Sequence, residues 1–191
     1  MNRRKRSDRT RRKRSGRIHP GSARLLLLTG IPATGKTRIG NRLSEGYGFN
    51  HLDFEDPTTL DTYLGQGEAG FRRAVRELKK AGGDVVITWG FLPDVQLVFV
   101  RALRSLGFTW VWFDGNRAAA RREYLWVGRV EAALDRQMER IQANIDPHMA
   151  RLAPAVVNTF DDTGQFREPD EIVTELLALL SAAVRSGEAA E

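Results

Sequence analysis

Lys36 and Thr37 follow two glycines separated by four residues, in the run Gly30-Ile31-Pro32-Ala33-Thr34-Gly35-Lys36-Thr37. That spacing suits a loop that wraps an anion. Gly30 and Gly35 let the backbone turn tightly and come close, and the amides at the start of a following helix point at a phosphate. Ala33, Thr34 and Arg38 complete the expected cradle. Lys36 would reach the β- and γ-phosphates of a nucleoside triphosphate, and the Thr37 hydroxyl would hold Mg²⁺. The alternative is a glycine-rich turn that matches by chance, and the flanking residues argue against it. Leu25 to Leu28 form a short apolar run suited to a buried strand, and Ile39, Leu43 and Tyr47 recur at helical spacing. Strand, loop and helix therefore follow in the required order.

Asp53 is the expected catalytic carboxylate. A hydroxyl attacking a γ-phosphoryl group needs a positioned base for its proton, and Asp53 stands where the second strand, Phe49 to Phe54, should end. A second Asp is usual after the third strand of such proteins, to hold waters around Mg²⁺. Here that strand ends Thr88-Trp89-Gly90, and its one acid, Asp84, lies at the wrong end. Asp53 is therefore expected to serve the metal as well as, or instead of, the acceptor. The competing reading is a turn-forming or capping Asp beside Asp56-Pro57. Glu55 is the second choice for the base.

Beyond the fourth strand, Trp110 to Phe113, comes an arginine-dense segment: Arg117, Arg121, Arg122 and Arg129. Phosphoryl transfer spreads negative charge over several oxygens, so a helical lid delivering Arg121 and Arg129 would clamp it and exclude water. A solvated basic helix is the plainer alternative for each of them. Asp114 and Asn116 are expected to cap the lid helix. Gln137 lies at the margin of an apolar face formed by Leu134, Met138, Ile141 and Ile145. Trp89 and Phe91 either wall a substrate pocket or cover the core. His19, His51 and His148 have no metal-ligand spacing and receive no role.

A chain of 191 residues supports one core, and its lack of cysteine excludes disulfides, thiolate metal sites and cysteine nucleophiles. No apolar run is long enough to span a membrane, and no signal-peptide core follows the basic start, so a cytoplasmic protein is expected. The net charge of +6 is unevenly placed. Residues 1–20 carry ten basic side chains and one acid, Asp8, for a net of +9, whereas residues 21–191 carry 20 basic and 23 acidic side chains, a net of −3. A disordered basic tail is expected over residues 1–22, acting as a solubilising extension, an overlong start or a weak nucleic-acid arm. A domain over 23–185 with a lid near 115–150, and a flexible end over 186–191, complete the expected organisation.

Strands alternate with helices along that domain. Phe71, Val75 and Leu78 mark one helix face, ended by Lys79, Lys80, Gly82 and Gly83, and Val85 to Ile87 form the third strand. Thr59 to Gly70 reads as glycine-rich and irregular, with room for one short helical turn. Val95, Val98, Phe99, Ala102 and Leu106 mark a further helix, Ala155 to Val157 a fifth strand, and Pro169 opens a last helix lined by Ile172, Leu176, Leu179 and Ala183. This alternation predicts an α/β fold: a five-stranded parallel sheet with helices on both faces. Ligands in such sheets bind outside the carboxyl ends of the strands.

On these residues the chain resembles small phosphate-loop kinases of the gluconate kinase, shikimate kinase and zeta-toxin type, over roughly residues 24–184. Asp53 matches their usual base position. The run from Trp112-Phe113-Asp114 to Arg129, with Leu134 and Gln137, resembles the fourth strand and lid of gluconate kinases. Asn158-Thr159 and Pro169 to Val173 resemble their adenine-side loop and last helix. His51-Leu52-Asp53-Phe54-Glu55 and Trp89-Gly90-Phe91 depart from the family's second-strand and substrate-loop patterns. The resemblance implies ATP, Mg²⁺ and transfer to a small-molecule hydroxyl. A nucleotide or polynucleotide 5′-hydroxyl kinase and a non-catalytic nucleotide-binding module are the two alternatives. No oligomeric state follows from the sequence.

Overall fold

A computed structural model describes residues 23–188; the basic tail expected over 1–22 lies outside the described residues, as do residues 189–191. Five strands, β1 Leu25–Gly30, β2 Asn50–Asp53, β3 Val85–Thr88, β4 Thr109–Asp114 and β5 Ala155–Asn158, form one sheet in the order β2-β3-β1-β4-β5. Every pairing is parallel. This is the α/β architecture expected from the alternating pattern.

The first strand is apolar on both faces because it is central. Leu25 and Leu27 share one core with Val85, Ile87, Trp110 and Trp112. Leu26 and Leu28 share the other with Val86, Val111 and Phe113. The second core is closed by Ile39 and Leu43 of α1 (Lys36–Tyr47) and by Ile172, Val173 and Leu176 of α8 (Pro169–Glu188). The first is closed by Phe71 and Val75 of α3 (Gly67–Ala81), Val100 and Leu103 of α4 (Pro93–Ser105), and Ile141 of α6 (Glu131–Asn144). Leu26 and Leu27 are fully buried, so truncating either to Ala should cost about 2–5 kcal/mol.

Two local expectations are corrected. The stretch read as irregular with one short helical turn holds most of α2 (Pro57–Leu64) and the first turn of α3. Asp56 caps α2 by accepting from the Thr59 amide at 2.8 Å, and Pro57 takes the first helical position. The helix is held down by Leu60, Tyr63 and Leu64 against the first core. On α4 the buried face is Val100, Ala102 and Leu103, whereas Val95 and Val98 are exposed. Their β-branched side chains fit a helical stripe, but the sheet lies on the other side of the helix. The last helix, α8, is described as far as Glu188. Among the described residues no helix is long and apolar enough to cross a membrane.

The register decides where chemistry can occur. Leu28 pairs with Thr88, Asp53 with Thr88, Gly30 with Phe113, and Asp114 with Asn158. The carboxyl ends of all five strands thus reach one edge. The chain after β1 leaves between β3 and β4, the crevice where such sheets take ligands.

Candidate active site

The loop after β1 is shaped by two glycines. Gly30 has φ 139°, and a Cβ there would lie 2.1 Å from the Phe113 carbonyl oxygen. Only a residue without a side chain lets β1 pass β4 at that distance while Ile31 N donates to Phe113 O at 3.1 Å. Gly35 has φ 73° and starts α1; a Cβ there would meet the Phe166 ring at 2.4 Å. Ala33 also takes a left-handed conformation, φ 60°.

Inside this loop the Ile31 carbonyl accepts from Thr34 Oγ1 at 2.8 Å and from Lys36 Nζ at 3.0 Å. Lys36 is only 4% exposed. Burial pushes its ammonium below the ordinary lysine range; Glu55 opposes that shift, Arg129 adds to it and Asp53 opposes it. Arg38 lies over the Phe166 ring, 4.8 Å from its centroid.

The two carboxylates after β2 have different surroundings. Asp53 Oδ2 accepts from Thr37 Oγ1 at 3.0 Å, and Oδ1 accepts from the Glu55 amide at 2.9 Å and from Thr88 Oγ1 at 3.2 Å. Glu55 instead reaches Lys36, with Oε1 at 4.0 Å from Nζ. Phe54, between them, is 1% exposed and packs against Tyr63, Phe71 and Trp89. That anchored ring turns the chain so that the two acids face different groups.

Two clefts meet at this point. One, about 210 Å³, is lined by the loop residues Ala33, Gly35, Lys36, Thr37 and Arg38 together with Glu55, Glu123, Val127 and Arg129. The other, about 370 Å³, runs between α4, α6 and the turn after β2, with Trp89 and Phe54 against it. Lys36, Glu55 and Arg129 line both. Asp53 is not among the residues lining either. Trp89 and Phe91 are each 2% exposed, so they belong to the core, but Trp89 also reaches the second cleft. Gln137 lines that cleft as well, donating to the Phe91 carbonyl at 2.9 Å.

The lid arginines separate. Arg129 lies over the Tyr124 ring at 5.4 Å, at the junction of the clefts. Arg121, on α5 (Arg117–Trp126), is bound to Glu131 and to Asp135, the latter at 2.7 Å, and lines neither cleft. Arg117 pairs with both oxygens of Asp146 at 2.9 and 3.0 Å, and this raises its already high pKa. Asn116 caps α5 by accepting from the Ala119 amide. Asp114 accepts from Gly115 N and Trp112 Nε1, at a separate concavity of about 500 Å³ beside Asn158 and Asp161.

Sequence reasoning gave no role to Thr88 or His51. His51 Nε2 lies 2.8 Å from Thr88 Oγ1 and Nδ1 lies 2.9 Å from Asn41 Oδ1, so Asn41, His51, Thr88 and Asp53 form one hydrogen-bonded chain. Burial lowers the His51 pKa below its ordinary value, against the pull of Asp53. The available signal was period two: His51 and Asp53 sit on the same face of β2. Glu123 and Val127 were also passed over; no motif marks them, and the lid alone brings them to the loop.

No family model matches the chain. It is similar to a shikimate kinase of Salinispora arenicola, 29% identical over 175 residues, covering 84% of this chain and 99% of that one. Among solved structures, a gluconokinase from Sinorhizobium meliloti superposes with a TM-score of 0.57 at 16% identity, over 86% of this chain and 95% of the other. A shikimate kinase from Acinetobacter baumannii, in complex with shikimate, gives 0.56 at 18% identity over 84% and 95%. A sugar kinase from a Janibacter species gives 0.53 at 17% identity over 83% and 95%. The fold of this chain is that of small phosphate-loop kinases.

Proposed function

We propose that the protein is an ATP-dependent kinase that transfers the γ-phosphoryl group to a hydroxyl of a small molecule. The observation that carries this reading is the wall shared by the two clefts, where Lys36 and Arg129 stand beside Glu55. The loop cleft takes the triphosphate and the second cleft takes the acceptor. As the acceptor oxygen bonds to phosphorus, the bridging β–γ oxygen bond breaks and ADP leaves. Glu55 accepts the hydroxyl proton, the role first expected of Asp53. Lys36 and Arg129 face the charge that spreads over the transferring group.

Thr37 and Asp53 fit a Mg²⁺ site. They offer a hydroxyl and a carboxylate 3.0 Å apart. Among the described residues no group of three or more His, Asp or Glu side chains could hold a metal by itself. Few protein oxygens, with phosphate and water supplying the rest, is the arrangement Mg²⁺ prefers. Bound there, Mg²⁺ would neutralise charge on the phosphate oxygens. Thr88 and His51 hold the Asp53 carboxylate in place.

The test is phosphorus NMR of ATP, Mg²⁺ and protein with a panel of hydroxyl compounds. An acceptor-dependent phosphomonoester signal, matched by ADP, is expected. ADP with inorganic phosphate alone, whatever the acceptor, would refute transfer.

A further inference from the structure

We propose that the acceptor is an uncharged polyhydroxy compound, a sugar or polyol without a carboxylate; this deepens the kinase reading above and rests on it. The argument begins with charge. The cations lining the acceptor cleft, Lys36 and Arg129, also line the phosphate-loop cleft and so face the phosphoryl group. Among the described residues, the charge left for the acceptor is Glu55, a carboxylate. An acidic acceptor would lose its hydration there, gain no cation of its own among the described residues and meet a like charge.

Hydrogen-bond polarity points the same way. Gln96 and Gln137 both line the cleft, and the backbone fixes how each amide is turned. Gln96 Oε1 accepts from the Leu92 amide at 2.6 Å, which leaves its NH₂ group as the end for a ligand. Gln137 Nε2 donates one N–H to the Phe91 carbonyl at 2.9 Å, which turns its carbonyl oxygen, with the second N–H, to the ligand. The acceptor therefore meets amide donors together with two accepting groups, the Gln137 carbonyl and Glu55. A hydroxyl both donates and accepts, whereas an ionised carboxylate only accepts and satisfies neither of those two groups. Beneath them lie the rings of Trp89 and Phe54, 2% and 1% exposed. They are core rings that close the base of the cleft with apolar atoms.

The test measures kcat/KM of the full-length chain with ATP and Mg²⁺ on matched pairs. Hexoses, pentoses and alditols are set beside the corresponding aldonates, and methyl shikimate beside shikimate. The uncharged members are expected to exceed their carboxylates by at least about tenfold, the scale set by unmatched groups in a site built for hydroxyls. Equal or better turnover of the carboxylates overturns the acceptor class and leaves phosphoryl transfer standing. Turnover of neither class, with ATP still bound in calorimetry, also overturns it. Loss of ATP binding itself would instead overturn the kinase reading.

Discussion

The Glu55 carboxylate stands 4.0 Å from the Lys36 ammonium, while Asp53, two residues earlier, accepts a hydrogen bond from Thr37. In the proposed mechanism Asp53 and Glu55 are thereby divided, Glu55 to the transferring phosphate and Asp53 to the metal position. Glu55→Gln should lower kcat by on the order of 10²–10⁴, the usual worth of a general base, with ATP affinity nearly unchanged. Asp53→Asn should also slow turnover, but mainly by raising the Mg²⁺ concentration needed. Turnover across a Mg²⁺ titration separates them; a raised metal requirement in the Glu55 variant alone would reverse the assignment.

Lys36→Met should leave the free protein as stable as before, or more so. The buried ammonium is disfavoured by desolvation, and the Ile31 carbonyl keeps its bond from Thr34. What should vanish is stabilisation by ATP–Mg²⁺, about 2.7 kcal/mol at a hundredfold excess over Kd. Thermal melts with and without nucleotide measure both. A variant that still shifts with ATP would overturn the loop assignment.

Arg129→Ala should lower kcat by about 10³, the lower range for an arginine facing a transferring phosphoryl group. Arg121→Ala should barely change kcat, since its guanidinium is engaged with Glu131 and Asp135 on α6. Single-turnover rates of the two variants decide the matter, and equal losses would mean that the lid rearranges to bring both arginines in.

Acid should weaken the fold through a few named carboxyls. Asp170 is held below the ordinary carboxylate range by hydrogen bonds from Arg42, Asp56 by those from Thr59, and Asp161 by those from Thr163 and the Gln165 amide. Each binds fewer protons folded than unfolded. The stability they give is therefore complete above the ordinary Asp value of 3.8 and is lost as pH falls through their lower folded values. Asp170→Asn should be less stable than the parent at neutral pH and converge with it in acid. Urea midpoints across pH measure this, and parallel curves would contradict it.

The loop and sheet were legible because their demands are local: a glycine that must turn, and a strand apolar at every position. The capping of α2 was present as Asp56-Pro57, but the stretch after it read as largely irregular because Gly65 and Gly67 dilute the helical pattern. The separation of Asp53 from Glu55 was not legible. Strand alternation stops at Asp53, and the direction of Glu55 is set by Phe54 burying against Tyr63, Phe71 and Trp89. Helical phase likewise gave Arg121 no partner, since Glu131 and Asp135 meet it only after α6 docks.

The contact of Gly35 with the Phe166 ring has a consequence during synthesis. The cradle is written near the start of the chain, yet the ring that braces it is made 131 residues later. At the usual ribosomal pace of about 5–20 residues per second, a nascent chain carries the glycine turn for several seconds before its brace exists. A chain cut short before Phe166 would therefore carry the glycine turn without the ring that packs beside it.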